Sequence, residues 1–126
     1  MSGFSDFVSE LLAGLGPEFG PIRVKRMFGG AGVYVGELPM FGLIADDVLY
    51  LKIDEALKAE LARAGSGPFV WTPARGPKAG EAIDLGYWRL PEEALEEPEL
   101  ACLWARKAIG VAVAKALKRK KQKREE

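Results

Sequence analysis

The sequence KRMFGGAGVY at residues 25–34 is the most informative segment of the chain. Two basic and two large apolar residues lead into three glycines within four positions, and a β-type pattern resumes at Val33. Glycine inside a strand pattern marks a bulge, a kink or a place where other atoms approach the backbone closely. We interpret the segment as a strand bent at a glycine-bearing bulge, with Met27 and Phe28 in the core. The alternative is a recognition loop whose backbone N–H groups and basic residues contact an anion or a peptide.

Strand patterns flank the glycine segment on both sides. Residues 22–25 alternate apolar with basic side chains, as a half-buried strand does, and the pattern resumes at residues 32–35. Tight turns at residues 36–37 and 46–47 separate this bent strand from two further apolar runs, at residues 39–44 and 48–53. The region therefore predicts an antiparallel meander of three strands.

Helical patterns precede, divide and follow the strands. The first has apolar residues at the spacing of an amphipathic helix, namely Phe4, Phe7, Val8, Leu11, Leu12 and Leu15. A second helix follows the N-cap residue Asp54, a third follows Pro98, and two short strands lie between them, at residues 69–72 and 82–90. The order is thus α-β-β-β-α-β-β-α. Strands that are grouped rather than alternating with helices predict an α+β fold, with an antiparallel sheet of about five strands packed with helices.

Composition excludes several kinds of chemistry. The chain has no histidine and a single cysteine, Cys102, so Ser-His triads, His-assisted cysteine nucleophiles and most zinc sites are ruled out. No acidic spacing resembles a calcium loop. We therefore expect a protein that is not an enzyme, with no catalytic residue, metal or cofactor. The lone cysteine and the lack of a signal-peptide or membrane-length apolar pattern favour a cytoplasmic location without a membrane partner.

Charge is distributed unevenly although the net charge is zero. Residues 115–126 contain seven basic residues against two glutamates, so this segment carries +5 and residues 1–114 carry −5. We interpret residues 1–114 as one domain and residues 115–126 as a basic C-terminal tail, either a helix end or disordered. Such a tail predicts weak, sequence-independent and salt-sensitive contact with nucleic acid. The candidate contact residues are Lys118, Arg119, Lys120 and Lys121.

Adjacent aromatic residues near the end of the last strand provide a second candidate surface. Tyr87 and Trp88 must point to opposite faces of the sheet if both lie in regular strand, so one of them is a candidate partner contact. Together with the glycine segment, the candidate interaction residues are Arg26, Met27, Phe28, Gly29, Gly30, Tyr87 and Trp88.

A series of short motifs carries a family resemblance. They are RMFGG at 26–30, GVY at 32–34, MF at 40–41, LIAD at 43–46, LYLK at 49–52, PF at 68–69, GYW at 86–88 and WA at 104–105. In this order and spacing, over residues 5–115, the chain resembles the N-terminal domain of the TfoX/Sxy family, bacterial proteins linked to the regulation of natural competence. It is similar to short, single-domain members, because the basic tail stands where full-length members carry a second domain.

The resemblance implies both a fold and a function. It implies an α/β sandwich similar to type III secretion chaperones, in agreement with the strand pattern. It also implies a regulatory module that acts through protein–protein contacts. The expected partner is a protein of unknown identity or a second copy of the chain, bound through an exposed sheet edge or the glycine segment.

Overall fold

The computed structural model of the chain describes residues 3–27, 29–72 and 74–125. Within them the chain forms six β-strands, four α-helices and two short 3-10 helices. The elements in chain order are α1 (Gly3–Leu11), a 3-10 helix (Ala13–Leu15), α2 (Gly16–Phe19), β1 (Ile22–Met27), β2 (Gly30–Val35), β3 (Gly42–Ala45), β4 (Val48–Lys52), α3 (Glu55–Arg63), β5 (Pro68–Trp71), β6 (Ile83–Arg89), a second 3-10 helix (Glu92–Glu96) and α4 (Pro98–Glu125).

The strands form one antiparallel sheet in the order β1-β2-β3-β4-β6-β5. Consecutive strands are neighbours from β1 to β4 because each connection is a short hairpin loop, the longest being the six residues 36–41 between β2 and β3. Helix α3 lies between β4 and the β5–β6 hairpin. The prediction of an α+β fold with helices packed on an antiparallel sheet is confirmed. The described part of the chain has six strands rather than about five.

The additional strand corrects our interpretation of the glycine segment as a bulge. The β1–β2 register runs from Ile22 opposite Val35 to Met27 opposite Gly30, so the chain reverses direction within the two positions between Met27 and Gly30. Two-residue hairpin loops need positive φ angles, and Gly29 has a φ of 77°. The segment is therefore a hairpin between two strands. Phe28 lies outside the described residues.

The hydrophobic core lies between one face of the sheet and the helices. Alternate residues of the central strands are buried on that face, and among them Val33, Leu49 and Leu51 are almost completely inaccessible. Helix α4 presents a row of buried alanines to this core, which lets its backbone approach closely: Ala101, Ala105, Ala108 and Ala112.

The C-terminal half of α4 is attached to the end of β4. The Lys115 Nζ donates a hydrogen bond of 2.8 Å to the carbonyl oxygen of Ile53, the residue after β4. The next residue, Asp54, is the N-cap that the sequence predicts, because its Oδ1 accepts a hydrogen bond of 2.8 Å from the Leu57 N–H. Lys115, which the sequence assigns to the tail, thus contacts the folded body. In the part of the chain that the structure describes, no helix has the length and apolar character needed to cross a membrane.

Candidate interaction site

A second apolar layer covers the sheet face that points away from the core. Strand pairing places Leu43 beside Tyr50, and Tyr87 beside Lys52, on this other face, which we call the open face. Tyr87 is only 8% exposed, yet it is not part of the buried cluster that contains Leu51. On the same face, the rings of Tyr50 and Phe69 are 4.8 Å apart. The open face is therefore apolar and aromatic rather than a plain solvated surface.

The open face is strongly curved. Met27 of edge strand β1 and Trp71 of the opposite edge strand β5 both line one groove with a volume of about 670 Å³. In a flat sheet of six strands these edges would be about 24 Å apart, too far to share a groove of that size. The sheet must therefore curl so that its two edges approach each other over the open face.

The curvature has a local cause in the β5–β6 hairpin. Pro68 pairs with Trp88 but Val70 pairs with Asp84, so the register shifts between these pairs and β6 contains additional residues there. Gly86 lies within this irregularity and has a φ of 79°, which residues with a side chain rarely adopt. A bulge of this kind bends a strand and increases its twist. The sequence thus places a glycine where β6 bends over the open face.

The two edges of the sheet differ in how they are protected. Edge strand β1 presents exposed charges at Arg23, Lys25 and Arg26, which discourage pairing with another strand. Edge strand β5 has the sequence PFVW, with no charge and with three of its four residues exposed. At the rim of the groove, Val70, Trp71 and Leu85 are among the exposed large hydrophobic residues. The β5 edge is therefore uncharged, and it is blunted only by its short length and by Pro68, which has no backbone N–H to donate.

Basic residues lie at the Tyr87 end of the groove. The Lys52 Nζ is 5.8 Å from the centroid of the Tyr87 ring. Burial lowers the pKa of Lys52, and the positive charges of Arg119 and Lys115 lower it further. Burial also raises the pKa of Tyr87, and Tyr34 contributes to this rise while Arg119 opposes it. Lys115 is hydrogen-bonded to the Ile53 carbonyl oxygen beside Lys52, and Arg119 lies one turn further along α4. We call Lys52, Lys115 and Arg119 the basic cluster.

The structure brings some of the predicted interaction residues together and separates others. Met27, Gly29, Gly30 and Tyr87 all line the groove. Arg26 is exposed on β1 and does not line it. Trp88 lies on the opposite face, half-buried against the helix-side core. Tyr87 and Trp88 therefore point to opposite sides of the sheet, as the strand alternation predicts, and only Tyr87 contributes to the groove.

The four residues predicted to contact nucleic acid point in different directions around helix α4. Lys118, Arg119, Lys120 and Lys121 are all exposed on this helix. Four consecutive helical residues point in directions about 100° apart, so they cannot all contact one flat surface. Arg119 is one turn beyond Lys115 and lies near Lys52, whereas Lys118, Lys120 and Lys121 point in other directions around the helix axis.

Several groove residues are absent from the sequence-based candidates: Met40, Leu43, Phe69, Val70, Trp71 and Leu85. A signal for them exists in the sequence, because GLIA in β3 and PFVW in β5 are apolar at consecutive positions. Such runs are typical of strands covered on both faces. The curled β5–β6 hairpin lies across the groove from β3, an arrangement that no local pattern reveals.

Comparison with known proteins identifies the family. The family profile described as the TfoX N-terminal domain matches residues 10–112. The chain belongs to the TfoX N-terminal domain family, a family of the regulatory type, and the resemblance found in the sequence is confirmed. A search of curated proteins found no match.

Proposed function

We propose that this chain is a non-enzymatic interaction module that binds an extended segment of a partner protein along β5. The segment adds a strand at the β5 edge and places its apolar side chains in the groove. The observation that carries the proposal is an uncharged, exposed edge strand at the rim of an apolar groove. Unpaired strand edges are templates for strand addition, and pockets for alternate side chains give such binding its specificity.

The size of the site sets the strength of the interaction. β5 has four residues, which offer about 13 Å of edge and only a few backbone hydrogen bonds. Most of the binding free energy must therefore come from apolar side chains buried in the groove. We expect dissociation constants on the order of micromolar, as for small transient interfaces. A contact of this strength suits a regulatory role in transcription or competence.

A matched pair of variants tests this proposal. Leu85 lines the groove and is 44% exposed, whereas Leu103 is 50% exposed on α4 and is not a groove residue. Peptides are first selected on the wild-type chain from a display library of random ten-residue peptides, and their affinities are measured by fluorescence anisotropy. We expect Leu85→Lys to weaken binding at least about tenfold, because it places a charge in an apolar site. Leu103→Lys should bind as the wild type does.

Three outcomes would contradict the proposal. They are failure to select any peptide, equal binding by both variants, and equal loss in both variants. Thermal melting of both variants checks that each remains folded. Light scattering at several concentrations tests the alternative occupant, because a dimer of the wild type that Leu85→Lys dissociates would make a second copy of the chain the partner.

A specific observation supports nucleic-acid contact as a second function. Lys118, Lys120 and Lys121 are exposed, and the ion pairs in the described part of the chain involve other residues, Arg106 with Glu18 and Lys107 with Glu60. Exposed cations on a helix end can neutralise phosphates and release counterions. We infer weak, sequence-independent binding, with dissociation constants of about 10⁻⁴ to 10⁻⁶ M at physiological salt.

The test of this second function must leave the Lys115 hydrogen bond to Ile53 intact. The triple variant Lys118→Ala, Lys120→Ala, Lys121→Ala meets this condition, whereas removal of residues 115–126 does not. We expect the slope of log affinity against log salt to decrease by about 0.9 for each phosphate contact that is lost, on duplexes of any sequence. Binding that is sequence-selective, or that the triple variant retains, would overturn this inference.

A further inference from the structure

The groove ends in a basic cluster that strand addition alone does not use. Tyr87 lines the groove, and the Lys52 Nζ lies 5.8 Å from the centroid of its ring. Lys115 donates a hydrogen bond to the carbonyl oxygen of Ile53, the residue after Lys52, and Arg119 lies one turn beyond Lys115 on α4. A segment that lies over Tyr87 would therefore come close to these positive charges.

Among the residues whose side chains the structure describes (3–27, 29–72, 74–82 and 85–121), no carboxylate forms an ion pair with the basic cluster. The two ion pairs there are Arg106 with Glu18 and Lys107 with Glu60. Lys115 is held in place by its 2.8 Å hydrogen bond to the Ile53 carbonyl oxygen, a neutral acceptor. Burial is the main cause that lowers the pKa of Lys52, and the neighbouring positive charges of Arg119 and Lys115 lower it further. A negative group bound beside them would offset these like charges and gain charge-assisted hydrogen bonds.

The opposite end of the groove carries the opposite charge. Asp46 lines the groove in the turn that precedes β4, and Lys52 is the last residue of β4. The two charges are thus separated by the length of this strand, about 13 Å or more. The groove is apolar in the middle, negative at the hairpin end and positive at the Tyr87 end, so it can orient an extended chain.

We infer that the partner segment carries carboxylate side chains next to its apolar residues, and that these carboxylates bind Lys52 and Arg119. The inference rests on the proposed function, because the apolar residues of the same segment occupy the groove. The occupant is an acidic, apolar stretch of polypeptide about five to eight residues long, which matches the extended length of the site. Complementary charge gives such a contact its orientation and its specificity.

The experiment uses the peptides selected on the wild-type chain. Each selected peptide is compared with an amide version in which every Glu is Gln and every Asp is Asn, on the wild type, Lys52→Gln, Arg119→Gln and Lys120→Gln. Lys120 is the control because it is a neighbouring exposed cation on another side of α4. We expect the selected peptides to be rich in acidic residues. Lys52→Gln and Arg119→Gln should each weaken the acidic peptides about three- to fivefold, and Lys120→Gln less than about twofold.

The amide peptides separate charge recognition from any structural effect of the variants. They should bind the wild type about tenfold more weakly than the acidic peptides and should not distinguish it from Lys52→Gln or Arg119→Gln. Equal affinity of acidic and amide peptides on the wild type would overturn the inference while the proposed function stood, provided that Leu85→Lys still weakened binding as predicted. Failure to select any peptide would overturn both. Loss of DNA binding without loss of peptide binding in Lys52→Gln and Arg119→Gln would assign the basic cluster to nucleic acid instead.

Discussion

Replacing Gly30 by alanine should lower the free energy of unfolding by about 3 kcal/mol or more. Gly30 is the first residue of β2, and a Cβ at this position would lie against the carbonyl oxygen of Ile44 in the neighbouring strand β3. Backbone atoms in a paired sheet cannot move aside as a flexible side chain can. The next residue, Ala31, is itself opposite Ile44, so any shift would disturb the β2–β3 pairing.

Two other glycines serve as controls for this prediction. Gly29 has a φ of 77° but open space around its Cβ position, so Gly29→Ala should cost only about 1 kcal/mol, from backbone strain alone. Gly110 lies inside α4 with nothing near its Cβ position, and Gly110→Ala should stabilise the chain by about 0.5 to 1 kcal/mol. Urea unfolding followed by tryptophan fluorescence measures all three. If Gly29→Ala and Gly30→Ala lowered the free energy of unfolding equally, backbone strain in the turn would determine the loss, and not the close approach of β3.

The glycine segment at residues 25–34 shows how far the sequence could predict the fold. The positions of most strands, the N-cap at Asp54 and the opposite directions of Tyr87 and Trp88 follow from local patterns, and the structure agrees with them. Glycine is favoured in both a bulge and a tight hairpin, however, so the motif at residues 25–34 permits either. The deciding fact is the β1–β2 pairing that places Met27 opposite Gly30, and composition does not encode a pairing partner.

The sequence predicted the groove less completely than it predicted the fold. Its curvature depends on a register shift beside Gly86, and its rim combines β5 with residues of β1, β2 and β3 that are distant in the sheet. The basic cluster depends on how far α4 extends past β4, which brings Lys115 to Ile53 across 62 positions of sequence. Helical periodicity predicts α4 itself but not which strand its end contacts. Four groove residues could be identified from the sequence because they lie in the glycine segment or in a pair of adjacent aromatic residues: Met27, Gly29, Gly30 and Tyr87.

A second large loss of stability is expected from a substitution on the face of the sheet that packs against the helices. Phe41 is completely buried in the helix-side core and is the largest such side chain in the described part of the chain. Its backbone N–H donates to the Val33 carbonyl oxygen at 3.0 Å, and its carbonyl oxygen accepts from the Lys52 N–H at 2.9 Å. Phe41→Ala should therefore lower the free energy of unfolding by about 3 to 5 kcal/mol, because the surrounding strands cannot collapse into the cavity.

Leu43, two residues further on, provides the matched comparison. It is half-buried on the open face and lines the groove, so Leu43→Ala should cost only about 1 kcal/mol, since the groove already leaves one side of it without packing. Its effect should instead appear in binding, where the lost apolar surface should weaken the selected peptides several-fold. Urea unfolding and anisotropy on both variants give the two measurements. If Leu43→Ala destabilised the chain as much as Phe41→Ala, the open face would be a second core, and its side chains would not be free to contact a partner.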